Sequence, residues 1–170
     1  MIKRAINLFL PFSNTHQIQE WRKRYDPLYA LIPPHITLVF PFESEHPSSL
    51  LKKHVQQIAH ETSSFSIQLQ GITGTIEQYL FLRVVQGNDL IIHLHDDLYT
   101  SVLLPYLNRQ YFYAPHVTVG RFEQREAFKQ ALIETEGLNQ VFQAKVDRIY
   151  VEQIDHHGKS IIESVIFLAD

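Results

Sequence analysis

The sequence contains no cysteine, which excludes disulfides, zinc–thiolate centres and thiol catalysis and fits a reducing compartment. An excess of one charge sign is also missing. Fifteen Lys and Arg stand against 18 Asp and Glu, leaving a net charge of -3 and a pI near 6.3. Such a balance argues against a protein that coats polyanions, though it allows a local positive pocket for a small phosphate. No apolar run reaches the roughly 18 residues that a membrane span needs; Ala5–Phe12 is apolar but short. The opening Met1-Ile2-Lys3-Arg4 carries no small-residue cleavage site. Low-complexity stretches and long linkers are absent. The expectation is a cytoplasmic protein with no membrane partner. What the chain does have is 170 residues, 45% of them hydrophobic, enough to bury one domain core without staples.

Hydrophobic periodicity divides the chain into alternating strands and helices. Ala5–Pro11 is a dense apolar run broken only by Asn7 and reads as a buried strand. Asn14–Tyr25 reads as a helix capped by Asn14 or Ser13 and ended by Pro27. A strand over His35–Phe40 follows the Pro33-Pro34 break. In Ser48–Glu61, Leu51, Val55, Ile58 and Ala59 share one helical face. Phe65–Gln70 and Tyr79–Val85 alternate at period two around a Gly71…Gly74 turn region. Asp89–Leu104 reads as a helix and His116–Phe122 as a strand. Glu123–Glu136 reads as a helix that Gly137 caps. Gln143–Gln153 and Ser160–Ala169 read as a closing hairpin around His157-Gly158.

The order repeats. Pro34-His35-Ile36-Thr37-Leu38-Val39 returns as Pro115-His116-Val117-Thr118-Val119-Gly120, 81 residues later and close to half the chain. Each copy is followed by a helix and a hairpin. A duplicated lobe accounts for this. Interleaved strands and helices make the class mixed α/β or α+β; the expectation taken forward is α+β, with two pseudo-symmetric lobes of mainly antiparallel sheet, helices outside, and an active cleft between the lobes. Residues 1–170 form one bilobal domain in this reading.

Chance does not explain the repeat. Composition alone gives about 0.5 His-x-Thr tripeptides. His60-Glu61-Thr62, at a helix end with a charged middle residue and no proline, is taken as that chance copy. The longer pattern Pro-His-apolar-Thr-apolar is expected only about 0.004 times, yet occurs twice. In a strand, residues i and i+2 point to one face, so each motif presents an imidazole beside a hydroxyl. Two facing imidazoles can divide phosphoester chemistry, one taking a proton from the nucleophile and the other giving one to the leaving oxygen. A histidine pKa near 6.5 makes both states accessible, and the hydroxyls of Thr37 and Thr118 can donate to phosphate oxygens. Neither motif supplies the third ligand that a zinc site needs.

Two His-apolar-Thr-apolar motifs, one per lobe, resemble those of the 2H phosphoesterase superfamily, which includes the 2'-5' RNA ligase-like proteins and RNA 2',3'-cyclic phosphodiesterases. The resemblance covers nearly the whole chain. It implies opening of 2',3'-cyclic phosphates without metal or cofactor, reversible as 2'-5' ligation. His35 and His116 would be the catalytic pair, with Thr37 and Thr118 binding phosphate. His116 would act as base and His35 as acid. Arg121 matches a basic residue that follows the second motif in the RNA-ligase-like branch. The implied partner is an RNA 3' end or a small cyclic nucleotide, and nothing demands more than a monomer. Two alternatives stand beside this reading: a non-catalytic RNA-end or nucleotide-binding module, and a hydrolase of a small non-RNA cyclic phosphoester.

Several other residues carry weaker signals. By regular alternation Arg121 falls on the side of Val117 and Val119, opposite His116 and Thr118, unless a twist or bulge at Gly120 re-aims it. Arg83, Tyr79 and Phe81 share a strand face and could wall a base and phosphate; a half-buried sheet face is the blander account. Tyr111, Phe112 and Tyr113 lead into the second motif, where core packing is the simpler reading and a place at the cleft mouth the other. His93 and His95 point about 200° apart on a helix, which argues against a metal site. His156 and His157 sit in an expected exposed turn. Arg22, Lys23 and Arg24 read as a solvated basic face.

Overall fold

The structure, a computed structural model, describes residues 1–12, 14–110 and 112–170. These form β1 (Ile2–Phe9), α1 (Thr15–Tyr25), β2 (His35–Ser44), α2 (Ser48–Glu61), β3 (Phe65–Gly74), β4 (Tyr79–Gln86) and α3 (Asn88–Leu98). A 3-10 turn (Ser101–Tyr106), β5 (His116–Arg121), α4 (Arg125–Thr135), β6 (Val141–Val146), β7 (Arg148–Ile154) and β8 (Ser160–Phe167) complete the chain. Asn14 occupies the N-cap position of α1 without a side-chain capping bond, and Ser13, the other expected cap, lies outside the described residues. No helix among the described residues is long and apolar enough to cross a membrane.

The strands make two four-stranded sheets, ordered β2-β1-β7-β8 and β5-β4-β3-β6. Their ladders are antiparallel throughout, as the α+β expectation requires. Each motif strand is the edge strand of its sheet, and β2 and β5 pack against each other. Helices α2 and α3 cover the first sheet, while α1 and α4 lie on the second. Alternate residues feed the core: Ile36 and Leu38 of β2, and Val117 and Val119 of β5, are buried. Gly120 is also buried because α1 crosses it closely; a Cβ there would stand 3.1 Å from Tyr25 Cβ and 2.9 Å from the Phe122 ring.

The sheets are not the two sequence halves. The hairpin β3–β4, which follows the first motif, joins the sheet of the second motif, and β7–β8 returns to the sheet of the first. Gln143–Gln153 is not one strand either. It splits at Asp147 into β6 and β7, one in each sheet. The buried positions explain the split, since Phe142 and Val146 fall on one parity and Ile149 and Val151 on the other. The expected helix Asp89–Leu104 ends at Leu98, and Ser101 turns the chain at φ 48 into a 3-10 turn containing Pro105. Proline lacks the amide that a continued α-helix would use. β2 runs on through Pro41 to Ser44, which an edge strand tolerates.

Candidate active site

The two histidines are held in the same way. His35 Nδ1–H donates to the carbonyl of Pro33 at 2.8 Å, and His116 Nδ1–H donates to the carbonyl of Ala114 at 2.6 Å. A carbonyl only accepts, so Nδ1 carries the proton in the neutral ring and Nε2 keeps its lone pair. The residue between is proline in both copies, Pro34 and Pro115. Its ring fixes φ near −65° and removes the amide at that position. The proline of the repeated pattern therefore belongs to the anchoring of each imidazole.

A bulge follows each threonine. In the first sheet Asn7 pairs with Thr37 and Ile6 with Val39, so Leu38 is the extra residue. In the second, Phe81 pairs with Thr118 and Leu80 with Gly120, so Val119 is extra. The slip reverses the parity of what comes next. Arg121 pairs with Tyr79 and thereby joins the face of Thr118, Phe81 and His116. The alternation that set it on the opposite face is corrected by this bulge. In β2 the same slip carries Phe40 to the face of Thr37, where it is 42% exposed.

Tyr79 and Phe81, expected to share a strand face, lie side by side next to His116. The Phe81 ring stacks on His116 with centroids 3.5 Å apart and planes at 17°, and Tyr79 lies parallel to Phe81 at 6°. Phe81 thus fixes the imidazole plane. Arg83 pairs with His116 across the ladder, and its guanidinium lies over Gly71. That glycine has φ +75, and a Cβ there would stand 2.8 Å from an Arg83 terminal nitrogen. On the first sheet Phe9 pairs with His35, its ring 5.9 Å away, and Tyr150 meets Phe9 edge-on.

Charge around the pair is asymmetric. Burial, with the positive charges of Arg22 and Arg121, lowers the pKa of His35 to about 4. Burial and Arg121 lower that of His116. Arg22 is not on a solvated face: it is 1% exposed. Its Nε donates to Asp26 Oδ2 at 2.9 Å, and Arg121 donates to Asp26 Oδ1.

Sequence reasoning missed a clamp on the free edge of β2. Tyr113 Oη donates to the Thr37 carbonyl at 2.8 Å, and His95 Nδ1–H donates to the Leu38 carbonyl at 2.7 Å. The Tyr99 hydroxyl accepts from Phe40 N at 3.0 Å. His95 stacks on Tyr113 with centroids 3.6 Å apart, so it serves the strand. Three side chains thus satisfy edge groups that a further strand would otherwise meet. Phe112, beside Tyr113, is fully exposed; Tyr111 lies outside the described residues. His156 and His157 lie at the β7–β8 tip, as expected of a turn, with His157 N bonded to the Asp155 carboxylate. The signal for Phe40 was in the repeat itself, because the 81-residue offset maps it onto Arg121.

The family described as the 2'-5' RNA ligase superfamily matches residues 10–158, and the chain belongs to it. A Geobacillus kaustophilus protein named "Putative phosphoesterase" is 28% identical over 169 residues, covering 97% of this chain and 96% of that one. One of the same description from Oceanobacillus iheyensis is 29% identical, covering 99% and 100%. Among solved structures, E. coli LigT complexed with NADP+ matches with TM-score 0.66 at 18% identity, covering 99% of each chain. TT0787 of Thermus thermophilus matches with TM-score 0.66 at 15% identity, covering 98% of each. The likeness to both is one of fold.

Proposed function

We propose that this protein is a two-histidine phosphoesterase that opens a 2',3'-cyclic phosphate at an RNA 3' end or on a nucleotide. The observation that carries this reading is the matched anchoring of His35 and His116. Each gives up Nδ1 to a backbone carbonyl, has no partner on Nε2 among the described residues, and shares a strand face with a threonine hydroxyl. The two sheets act as one bilobal domain over residues 1–170, and a single chain supplies both motifs. E. coli LigT, which has this fold, is known in complexes with 3'-AMP and ATP, which supports a nucleotide here.

In the reaction, Thr37 and Thr118 donate to non-bridging phosphate oxygens. One imidazole takes a proton from water as its oxygen bonds to phosphorus. The bond from phosphorus to one ribose oxygen breaks, and the other imidazole protonates that oxygen, leaving a phosphomonoester. The family resemblance gives His116 the base role and His35 the acid role. Arg22 and Arg121 oppose a proton on His35 before substrate binds. A phosphate anion between the histidines offsets that charge and favours the protonated acid. Arg121 faces the phosphate, and the exposed Phe40 ring offers a base a stacking surface. With a ribose 5'-hydroxyl in place of water as the nucleophile, the same two proton transfers form its bond to phosphorus, break the bond to the 3' oxygen and leave a 2'-5' phosphodiester.

The test is hydrolysis of 2',3'-cyclic AMP and of a short RNA ending in a 2',3'-cyclic phosphate, in EDTA. His35→Ala and His116→Ala should each lower turnover by at least about a hundredfold. Full activity in either variant would overturn the mechanism. Binding without turnover in the native protein would favour a nucleotide-binding module.

A further inference from the structure

The charged group that holds Arg121 lies outside both motifs. Asp26, just past the end of α1, has a fully buried side chain. Its Oδ2 accepts from Arg22 Nε at 2.9 Å, and its Oδ1 accepts from Leu28 N at 3.0 Å and from Arg121. Arg22 is locked in turn by Gln19 Oε1 at 3.0 Å. One carboxylate therefore ties the end of a helix to the last residue of the second motif strand. Arg121 stays partly exposed, its side chain at 24%, on the strand face of Thr118 and His116. Two cations on one buried carboxylate leave an excess of one positive charge in the group. That excess sits within electrostatic reach of His35.

Resting on the phosphoesterase reading above, we propose that Asp26 is a positioning residue. Its buried carboxylate orients Arg121 toward the phosphate and, with Arg22, sets how much positive charge His35 meets. Without Asp26, Arg121 loses its fixed direction, and Arg22 and Arg121 stand uncompensated beside His35. A misplacement of about 1 Å at a reacting centre can cost on the order of a hundredfold in rate. The charged groups acting on His35 are Arg22 and Asp26 from the α1 region and Arg121 from β5; the Phe9 ring of β1 also packs on it.

Two measurements test this. The first is a double-mutant cycle on 2',3'-cyclic AMP hydrolysis. Asp26→Asn should lower kcat/KM by about ten- to a hundredfold in the native background and by clearly less when Arg121 is already Ala, where only the charge of Arg22 is left uncompensated. Losses that multiply would show that Asp26 does not act through Arg121. The second follows the His35 ring protons by NMR against pH, without substrate. Asp26→Asn should move the His35 titration to lower pH, and Arg121→Gln should move it to higher pH. A midpoint that ignores both substitutions would overturn the coupling. Because this readout needs no turnover, it separates failure of the proposal from failure of the phosphoesterase reading. Asp26→Glu, which keeps the charge, serves if Asp26→Asn does not fold. Displacement of Arg121 should then reduce kcat/KM in the native background and spare the Arg121→Ala background; equal reductions would overturn it.

Discussion

Across the 81-residue offset, His35 corresponds to His116, Thr37 to Thr118, the bulged Leu38 to Val119, and Phe40 to Arg121. The first three correspondences preserve chemistry and backbone geometry; the last does not. In β2 that position carries the Phe40 ring, braced by Tyr113 and His95 with centroids 6.3 and 6.4 Å away. β5 ends on a guanidinium braced by Asp26. The cross-strand partners diverge in the same sense. His35 faces Phe9, whereas His116 faces Arg83. Duplication supplied two histidines anchored alike and related by symmetry. Divergence at this position made one side apolar and the other cationic, which under the proposed function suits the base and the phosphate of a nucleotide.

The comparison can be broken at its shared part first. If the histidines are equivalent partners in one reaction, the two alanine variants should lose activity to a similar extent, by at least about a hundredfold each. One near-native variant would make the motifs unequal. Next comes the divergent pair. Arg121→Gln removes a charge-assisted contact worth about 1.5–3 kcal/mol and should lower kcat/KM on every substrate. Phe40→Ala removes stacking worth about 1–3 kcal/mol. It should raise KM for cyclic nucleotides with little change in kcat. Steady-state kinetics on purine and pyrimidine substrates distinguish the two; an equal kcat effect from both would erase the division of labour.

Acidity sharpens the comparison further. The proposed reaction needs one imidazole protonated and one neutral. His35 is lowered to about 4 and His116 is lowered too, so the substrate-free protein holds a single proton on the pair only on the acid side of 6.5. The kcat/KM optimum should lie below pH 6.5 and fall through neutrality, whereas two unperturbed histidines would centre it near 6.5. Stability follows the linked sign. The unfolded chain takes up these protons first, so the histidines' contribution declines as pH falls from 6.5 toward 4. The smallest effect concerns the clamp found on β2. Tyr113→Phe deletes the bond to the Thr37 carbonyl and should cost about 1 kcal/mol. Thermal unfolding should show it as a Tm loss of about 2–4 °C.

The sequence by itself determined the local chemistry. Period-two alternation placed His35 with Thr37 and His116 with Thr118, and the proline before each histidine set its anchor. Helical periodicity marked α2 to its ends. These features depend on neighbours a few residues apart, which pattern and backbone stereochemistry specify. The tertiary structure decided what depends on cross-strand register and distant partners. A bulge moved Arg121 and Phe40 to the cleft face, because a one-residue slip inverts every later side chain. Arg22 became buried because Asp26 and Leu28 accept its donors, something a run of three basic residues does not disclose. The split at Asp147 and the exchange of hairpins between sheets also rest on long-range pairing. Sequence spacing paired each histidine with its threonine, and only the folded register determined which charges and rings surround them.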